Sequence, residues 1–283
     1  MKVTILGSGA AEGIPAFYCR CRVCRNAAES RGRNIRTRAS ALFDDTLKVD
    51  YGPDTYAQTL MHGVDMRAVR IIVISHAHED HFTPTEFIWR EKNFIQDGGP
   101  YAVELYGNRT VGELFDGLAI RYGISREELF QRLSLSYSEA KPFLAIDAEP
   151  YRIYPIAATH EPKQVALNYV IDRNGVRVLV GFDTSRYRPE TWDYLTELCC
   201  DAPFDAVLMD CTMGKYGGGD THMGIEDNER VREEMYTRRI VGEATRYVLT
   251  HISHGGDFTH DELAERANSI GMLAGYDGMA LVL

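Results

Sequence analysis

Residues 70–81 read RIIVISHAHEDH. Arg70 to Ile74 is a short, mostly apolar run of the kind buried on both faces of a sheet. It passes directly into Ser75-His76-Ala77-His78-Glu79-Asp80-His81, where His76, His78, Asp80 and His81 fall within six residues. Neutral imidazole nitrogen and carboxylate oxygen together suit Zn, Mn or Fe. On an extended chain His76 and His78 point to the same side. A helix starting just after them would swing Asp80 and His81 towards a second position, so one segment can serve two metals. A histidine-rich surface loop would look the same in isolation. The chain has only nine His, however, and three of them occupy this window. Other candidate ligands also close apolar runs: His160 in AATHEP, Asp183 in VGFDTS and His251 in VLTHISH. Side chains at strand ends collect on one rim of a sheet, where α/β sites are built.

Working outward, Lys2 to Leu6 reads as a strand ending in the turn Gly7-Ser8-Gly9. Arg36 to Phe43 and Leu47 to Tyr51 form a hairpin around Asp44-Asp45, and Pro53 opens a short helix. The spacing predicts helices over Thr85 to Phe94, Val111 to Tyr122 and Arg126 to Leu133, with a strand at Val103 to Tyr106. Strands follow at Tyr151 to Ala157, Ala166 to Ile171, Val176 to Gly181, Ala206 to Met209 (ending at Asp210), Arg246 to Leu249 and Met279 to Leu283. Helices fall at Pro189 to Leu198, Ile225 to Tyr236 and His260 to Ser269. No linker or charge block divides the chain. The pattern predicts a single α/β domain over 1–283, with two sheets face to face and helices outside. The stretch of about 83–148 reads as a helical insertion roofing the active site.

The 283 residues carry a formal net charge of -10, with 45% hydrophobic and 25% charged residues. This is ordinary for a soluble globular chain, and the acidity disfavours a stable nucleic-acid partner. No apolar run approaches the ~20 residues that span a bilayer, so no membrane partner is expected. The short apolar stretch in MKVTILGSG reads as a strand rather than a signal peptide, which points to a cytoplasmic protein. The six Cys then need an explanation other than disulfides. Cys199, Cys200 and Cys211 read as buried small hydrophobes. Cys19, Cys21 and Cys24 supply three thiolates in six residues and suggest a structural zinc, which needs a fourth ligand. His254, His222 and a distant Cys are the candidates.

HAHEDH matches the HxHxDH motif of the metallo-β-lactamase superfamily, and His160, Asp183 and His251 match its later ligands in order. The resemblance covers essentially the whole chain and implies an αββα four-layer sandwich. It also implies a ligand set: His76, His78 and His160 for one metal, Asp80, His81 and His251 for the other, with Asp183 bridging. Two divalent ions (Mn or Zn, with Fe allowed) would share a hydroxide and clamp attacking and leaving oxygens, and Asp80 would orient that hydroxide. Asp50, in DYGPD, resembles the family's turn beneath the metals and is expected to support a ligand rather than bind metal itself.

The opening TILGSGAAEGIPAFYCRCRVCRNA resembles the PhnP-like cyclic phosphodiesterase branch, whose relatives include the protein of pyrroloquinoline quinone biosynthesis. In that branch three Cys and a His hold a structural zinc, the His lying three residues after an active-site His. Thr250-His251-Ile252-Ser253-His254 fits this, which makes His254 the fourth ligand. The likeness places a His near the site as general acid, which corresponds to His222 in GGDTHMGIEDN; the plainer reading is a residue beside Thr221 at a helix start. Lys163, Arg186 and Lys215 are equally candidates for gripping phosphate and for solvated surface charge. His62 and His260 read as ordinary surface residues. Gly7-Ser8-Gly9 lacks the spacing of a nucleotide loop. The branch resemblance implies a phosphodiesterase acting on a small phosphorylated substrate, a phosphoribosyl or nucleoside cyclic phosphate, and allows a homodimer. The alternatives are hydrolysis of a lactone, thioester or carboxylic ester, or a weakly catalytic, metal-binding accessory of the quinone-pathway kind. An RNA-processing nuclease is disfavoured by the charge.

Overall fold

The computed structural model describes residues 1–283. The first sheet contains β1 (Lys2–Gly7), β2 (Ser40–Phe43), β3 (Leu47–Val49), β4 (Ile71–Val73), β5 (Val103–Gly107) and β6 (Leu135–Glu139), with β14 (Ala280–Val282) beside β1. The second contains β7 (Ile146–Ala148), β8 (Tyr151–Ala157), β9 (Leu167–Arg173), β10 (Val176–Gly181), β11 (Ala206–Asp210), β12 (Arg246–Thr250) and β13 (Leu273–Ala274), adjacent in sequence order. The helices are α1 (Arg22–Ser30), α2 (Thr55–His62), α3 (Arg109–Tyr122), α4 (Arg126–Leu133), α5 (Pro189–Leu198), α6 (Ile225–Thr237) and α7 (His260–Ser269).

Period-2 alternation along each strand divides the side chains between layers. In β4, Ile71 and Val73 pack between the sheets against residues such as Ile153, Val178 and Leu208. Ile72 and Ile74 point the other way, into a cluster with Phe87, Phe115 and Leu129. In β11, Ala206 and Leu208 face the inter-sheet core, while Val207 and Met209 meet Leu195, Val231, Met235 and Leu263 of the outer helices. Both faces of these strands are therefore dry, which explains why RIIVI and AVLM read as unbroken apolar runs. The result is a four-layer αββα sandwich. Asp44 and Asp45 both take positive φ (45° and 62°), as a tight hairpin turn between β2 and β3 requires.

Several expectations need correction. Residues 83–148 do not form an insertion over the site. They supply β5 and β6 at one edge of the first sheet, the helices α3 and α4 that cover its outer face, and β7 of the second sheet. Their link to the ligand segment runs through Asn108, whose side-chain amide donates to Gln164 Oε1 (3.0 Å), the same oxygen that accepts from the Ala77 N–H. The expected helix over Thr85 to Phe94 is two 3₁₀ turns, Pro84–Arg90 and Lys92–Phe94, separated by the extended Glu91. His260 is buried, 3.2 Å from an Arg36 guanidinium nitrogen. His62 is half-buried against the Leu6 carbonyl at 3.0 Å. Cys200 is exposed, whereas Cys199 and Cys211 are buried. α1 went unread because its apolar stripe is short and the cysteines dominate that stretch. β7 and β13, of three and two residues, are too short to show alternation, whereas β6 does alternate, as Leu-Ser-Tyr-Ser-Glu over 135–139. No helix is long and apolar enough to cross a membrane.

Candidate metal centre

The C-terminal ends of β4, β8, β10, β11 and β12 open on one rim, and the sequence places a His or Asp just beyond or at each. Two strong ligands, His76 and His78, follow β4 after a bend at Ser75. A tight turn then bends the chain back, with the His81 and Phe82 N–H groups both donating to the His78 carbonyl (3.0 and 2.9 Å). It is a turn, not the helix start expected, but it has the same consequence: Asp80 and His81 face a second cluster.

Ligand atoms of His76, His78, His160 and Asp183 lie within 4.8 Å of one another, and so do those of Asp80, His81, Asp183 and His251. Asp183 joins the two groups. Its Oδ2 is 3.3 Å from His76 Nε2, 3.6 Å from His160 Nε2 and 2.9 Å from His81 Nε2, while its Oδ1 is 2.9 Å from His251 Nε2. In the second cluster Asp80 Oδ2 stands 3.1 Å from His81 Nε2 and 4.0 Å from His251 Nε2. Donor atoms around a four-coordinate ion with ~2.0–2.1 Å bonds sit about 3.4 Å apart, so the spacings suit a small divalent cation. All seven sequence-predicted ligands therefore converge. His81 Nε2, His251 Nε2 and Asp183 Oδ1 are buried atoms without a hydrogen-bond partner. Buried polar atoms are ordinarily satisfied, and a cation would satisfy all three.

The outer ring nitrogens are tied down, as metal-binding imidazoles require. His81 Nδ1 lies 2.6 Å from Asp50 Oδ2, and Asp50 also accepts from the Ser75 N–H (2.7 Å) and hydroxyl (3.0 Å). Asp50 thus lies directly behind His81, joined to the backbone of the ligand segment. His78 turns Nε2 to Glu161 at 3.1 Å, which leaves Nδ1 facing the cluster. His160 Nδ1 meets the Thr221 carbonyl at 3.2 Å, and His251 Nδ1 meets the Thr212 hydroxyl at 2.8 Å. Asp50, Asp183 and His251 all adopt positive φ (61°, 46° and 54°). Left-handed conformations cost a non-glycine residue of order 1 kcal/mol or more, and three such residues at strand ends concentrate that strain in one place. A Cβ on Gly52 would stand 2.0 Å from the Asp80 carbonyl oxygen, so the turn after Asp50 needs glycine to pass under the ligand segment.

No Lys or Arg pairs with the Asp80 or Asp183 carboxylate. Burial would raise the Asp183 carboxyl, but His251 and His81 hold it well below the usual range. Burial disfavours a charged His81 ring, yet Asp80, Asp183 and Asp50 together raise it well above its ordinary value. His76, burial outweighing its acidic neighbours, drops to about 4. The pocket holds surplus negative charge that cations would balance.

His222 reaches the same rim. Its Nδ1 is 2.9 Å from Asp210 Oδ2 and 3.6 Å from Asp183 Oδ1. Burial alone would lower its pKa, but the hydrogen bond to Asp210 and the charges on Asp210, Asp183 and Asp80 raise it to about 9. Asp210 was missed as a functional residue. It is 0% exposed at the end of β11 and also accepts from the Thr212 hydroxyl and the Met223 N–H (both 3.0 Å). The signal that could have found it is the one that found Asp183: a carboxylate closing an apolar strand. Thr221 is not the cap of α6; Gly224 occupies that place, with its N–H donating to Asp227 at 3.1 Å.

Across the rim, Cys19, Cys21, Cys24 and His254 bring their ligand atoms within 4.8 Å of one another. His254 Nδ1 is 3.6 Å from Cys19 Sγ and 3.5 Å from Cys21 Sγ, so of the candidates for the fourth position it is His254 that meets the cysteines. His222 lies in the other cluster. The Cys21, Cys24 and Ala16 N–H groups donate to sulfurs at 3.4, 3.5 and 3.4 Å. Burial raises a thiol, but the Cys24 N–H and His254 bring Cys21 down to about 7, while burial pushes Cys24 up to about 12. His254 Nε2 faces Glu12 at 3.5 Å. Of the three basic candidates, Lys215 is paired with Asp257 at 3.0 Å and sits over Phe258. Lys163 and Arg186 are exposed.

A family model described as "Beta-lactamase superfamily domain" matches residues 46–252. An octanoyltransferase of Porphyromonas gingivalis is 36% identical over 85 residues, 29% of this chain and 16% of that protein. Coenzyme PQQ synthesis protein B of Methylobacterium radiotolerans is 28% identical over 156 residues, 47% of this chain and 49% of that protein. The matched stretches thus span less than half the length of these curated relatives. Among solved structures, a diphosphatase from the PhnP family superposes with a TM-score of 0.73 at 20% identity, covering 100% of this chain and 97% of that one. The family model takes in every residue of the histidine–aspartate cluster, and the fold is shared from end to end: this chain belongs to the metallo-β-lactamase superfamily of hydrolases.

Proposed function

We propose that the protein is a dinuclear metal-dependent phosphodiesterase that opens a small cyclic phosphate ester, a phosphoribosyl or nucleoside cyclic phosphate. The observation that carries this reading is the Asp183 carboxylate, common to two histidine clusters: its Oδ2 stands 3.3 Å from His76 Nε2 and 2.9 Å from His81 Nε2, and its Oδ1 2.9 Å from His251 Nε2. His76, His78, His160 and Asp183 would hold one ion, and Asp80, His81, His251 and Asp183 the other; Mn, Zn and Fe all suit this nitrogen–oxygen set. Two such ions supply Lewis-acid activation of water and neutralisation of charge at phosphorus. Asp80 is placed to accept a hydrogen bond from the attacking water and so orient it.

His222 supplies the proton. A sugar alkoxide is a poor leaving group, and donation to it lowers the barrier. Asp210 accepts from Nδ1 and keeps the ring charged, which leaves Nε2 free to protonate the departing oxygen. Cys19, Cys21, Cys24 and His254 would hold a structural zinc that ties the N-terminal arm to the rim. Six cysteines without a disulfide suit a reducing compartment, the cytoplasm.

The likeness to coenzyme PQQ synthesis protein B favours a second reading, a metal-binding accessory with weak hydrolytic power. The test is turnover by the Mn- and Zn-loaded chain on a ribose cyclic phosphate, a diphosphate, a lactone and a thioester. The cyclic phosphate is expected to lead in kcat/KM by at least ~100-fold, the order of discrimination that correctly placed polar contacts provide. A preferred lactone or thioester overturns the proposal, and inertness towards all four supports the accessory.

A further inference from the structure

On the helical side of the first sheet a cavity of about 460 Å³ opens, and no residue of either ligand cluster borders it. Much of its lining is apolar. Val69, Ile72 and Phe87 are buried there and belong to the same outer cluster as Phe115 and Leu129. Trp89 and Phe94, from the two 3₁₀ turns, add an aromatic wall, with ring centres 5.0 Å apart and the side chains 56% and 52% exposed. Small-molecule sites are mostly apolar hollows of roughly 300–1,000 Å³, and half-bare aromatic rings gain from being covered.

Three polar groups of this lining lack the partners such groups ordinarily have. Arg90 is half-buried. Its Nε donates to the Leu133 carbonyl at 3.0 Å and its Nη2 to the Tyr101 carbonyl, which fixes the guanidinium plane. Neither carbonyl cancels the charge, Nη1 has no acceptor, and no carboxylate pairs with the group. Glu86, earlier in the same 3₁₀ segment, is half-buried with no cation paired to it. The other two charges of the lining, Arg67 and Asp97, satisfy each other. Tyr51 is the third group. Its N–H donates to the His81 carbonyl (2.8 Å), its carbonyl accepts from the Thr83 N–H (2.9 Å), and its ring packs on Phe87 with 4.4 Å between centres. The residue is firmly held, yet its hydroxyl makes no hydrogen bond within the chain. Burial pushes that phenol up to about 12, and the charges on Arg90 and Glu86 act on it in opposite directions. The cation and the carboxylate thus both stand near the one hydroxyl.

A lone guanidinium calls for an anion and a lone carboxylate for a cation, so a ligand with a single charge would leave one of them unanswered. A zwitterion answers both. We infer that this cavity binds a free amino acid with an apolar side chain, its carboxylate held by Arg90 and the Tyr51 hydroxyl, its ammonium by Glu86, and its side chain among Ile72, Phe87 and Trp89. An α-amino acid carries both charges on one carbon at the end of an apolar body, which matches the division of polar and apolar groups in this lining. The site is independent of the phosphodiesterase reading and stands or falls without it.

The test is calorimetric titration of the full chain with L-phenylalanine, with 3-phenylpropionate, which lacks the ammonium, and with 2-phenylethylamine, which lacks the carboxylate. Wild type is expected to bind phenylalanine at least ~10-fold more tightly than either analogue, the order that one hydrogen bond to a charged group provides. This comparison needs no variant. Glu86→Gln removes a carboxylate that bonds to no other group in the chain, so the fold is kept. It should weaken phenylalanine about tenfold and change phenylpropionate by less than about twofold. A free amino acid can also chelate a metal ion, but chelation would not respond to Glu86, which belongs to neither ligand cluster. Phenylpropionate binding as tightly as phenylalanine, equal losses of both ligands in Glu86→Gln, a phenylalanine affinity unchanged in that variant, or no binding to wild type would each overturn the assignment.

Discussion

Two ligand clusters share a five-residue stretch, Thr250-His251-Ile252-Ser253-His254, yet they are built on opposite principles. The first collects nitrogen and carboxylate donors from the ends of β4, β8, β10 and β12, leaves buried donor atoms unpaired, and has one carboxylate common to two groups. The second closes on itself with three sulfurs and one nitrogen, a complete tetrahedral set, and most of it lies within one turn and the start of α1. An open, strained, acid-rich centre is suited to chemistry; a closed thiolate centre is suited to holding an arm in place. Because His251 and His254 are three residues apart, a zinc held by the closed centre would anchor the rim on which the open one depends.

The strongest way to break that contrast is Asp183→Asn. An amide cannot neutralise two cations at once. This variant is expected to lose both active-site metals and at least ~1,000-fold in kcat/KM while keeping one zinc. Metal analysis by mass spectrometry reads this directly, and retention of both ions would dissolve the idea of a shared carboxylate. His222→Gln probes the open centre more finely. General acid catalysis contributes ~100-fold or more with an alkoxide leaving group and little with a nitrophenolate, which leaves unaided. The protonated ring is the active form, and its pKa is raised to about 9, so wild-type activity should fall as the pH rises through about 9. That alkaline limb should be absent in the variant, and a pH–rate profile unchanged by it would remove His222 from the chemistry. The smallest effect is expected at the closed centre. Cys21→Ser should lose one zinc, keep the other two ions, and melt about 3–5 °C lower, as roughly 2–3 kcal/mol of lost stability would produce in a chain of this size. Loss of all three metals together would show that the two centres are not separable.

Much of the open centre was legible before folding. Histidine and aspartate placed just after apolar runs announce themselves, since strand burial is a periodic, local signal and donor chemistry belongs to the residue. Asp210 escaped because nothing local distinguishes it; its importance is that His222, twelve residues on, folds back onto it. Residues 83–148 were misjudged for a related reason. Helical periodicity shows that α3 and α4 exist, but not that β5 and β6 lie beside β4 and place those helices on the outer face of the first sheet.

By itself, the order of residues determined which donors this protein has, that they sit at strand ends, and that thiolates and imidazoles are kept in separate segments. Tertiary structure alone decided that the Asp183 carboxylate stands between both clusters and that His254 meets a cysteine 233 positions away. The reason is physical. Donor type and periodicity act over a few residues, whereas coordination, charge pairing and exposure depend on distances between segments that only the packed sandwich brings together.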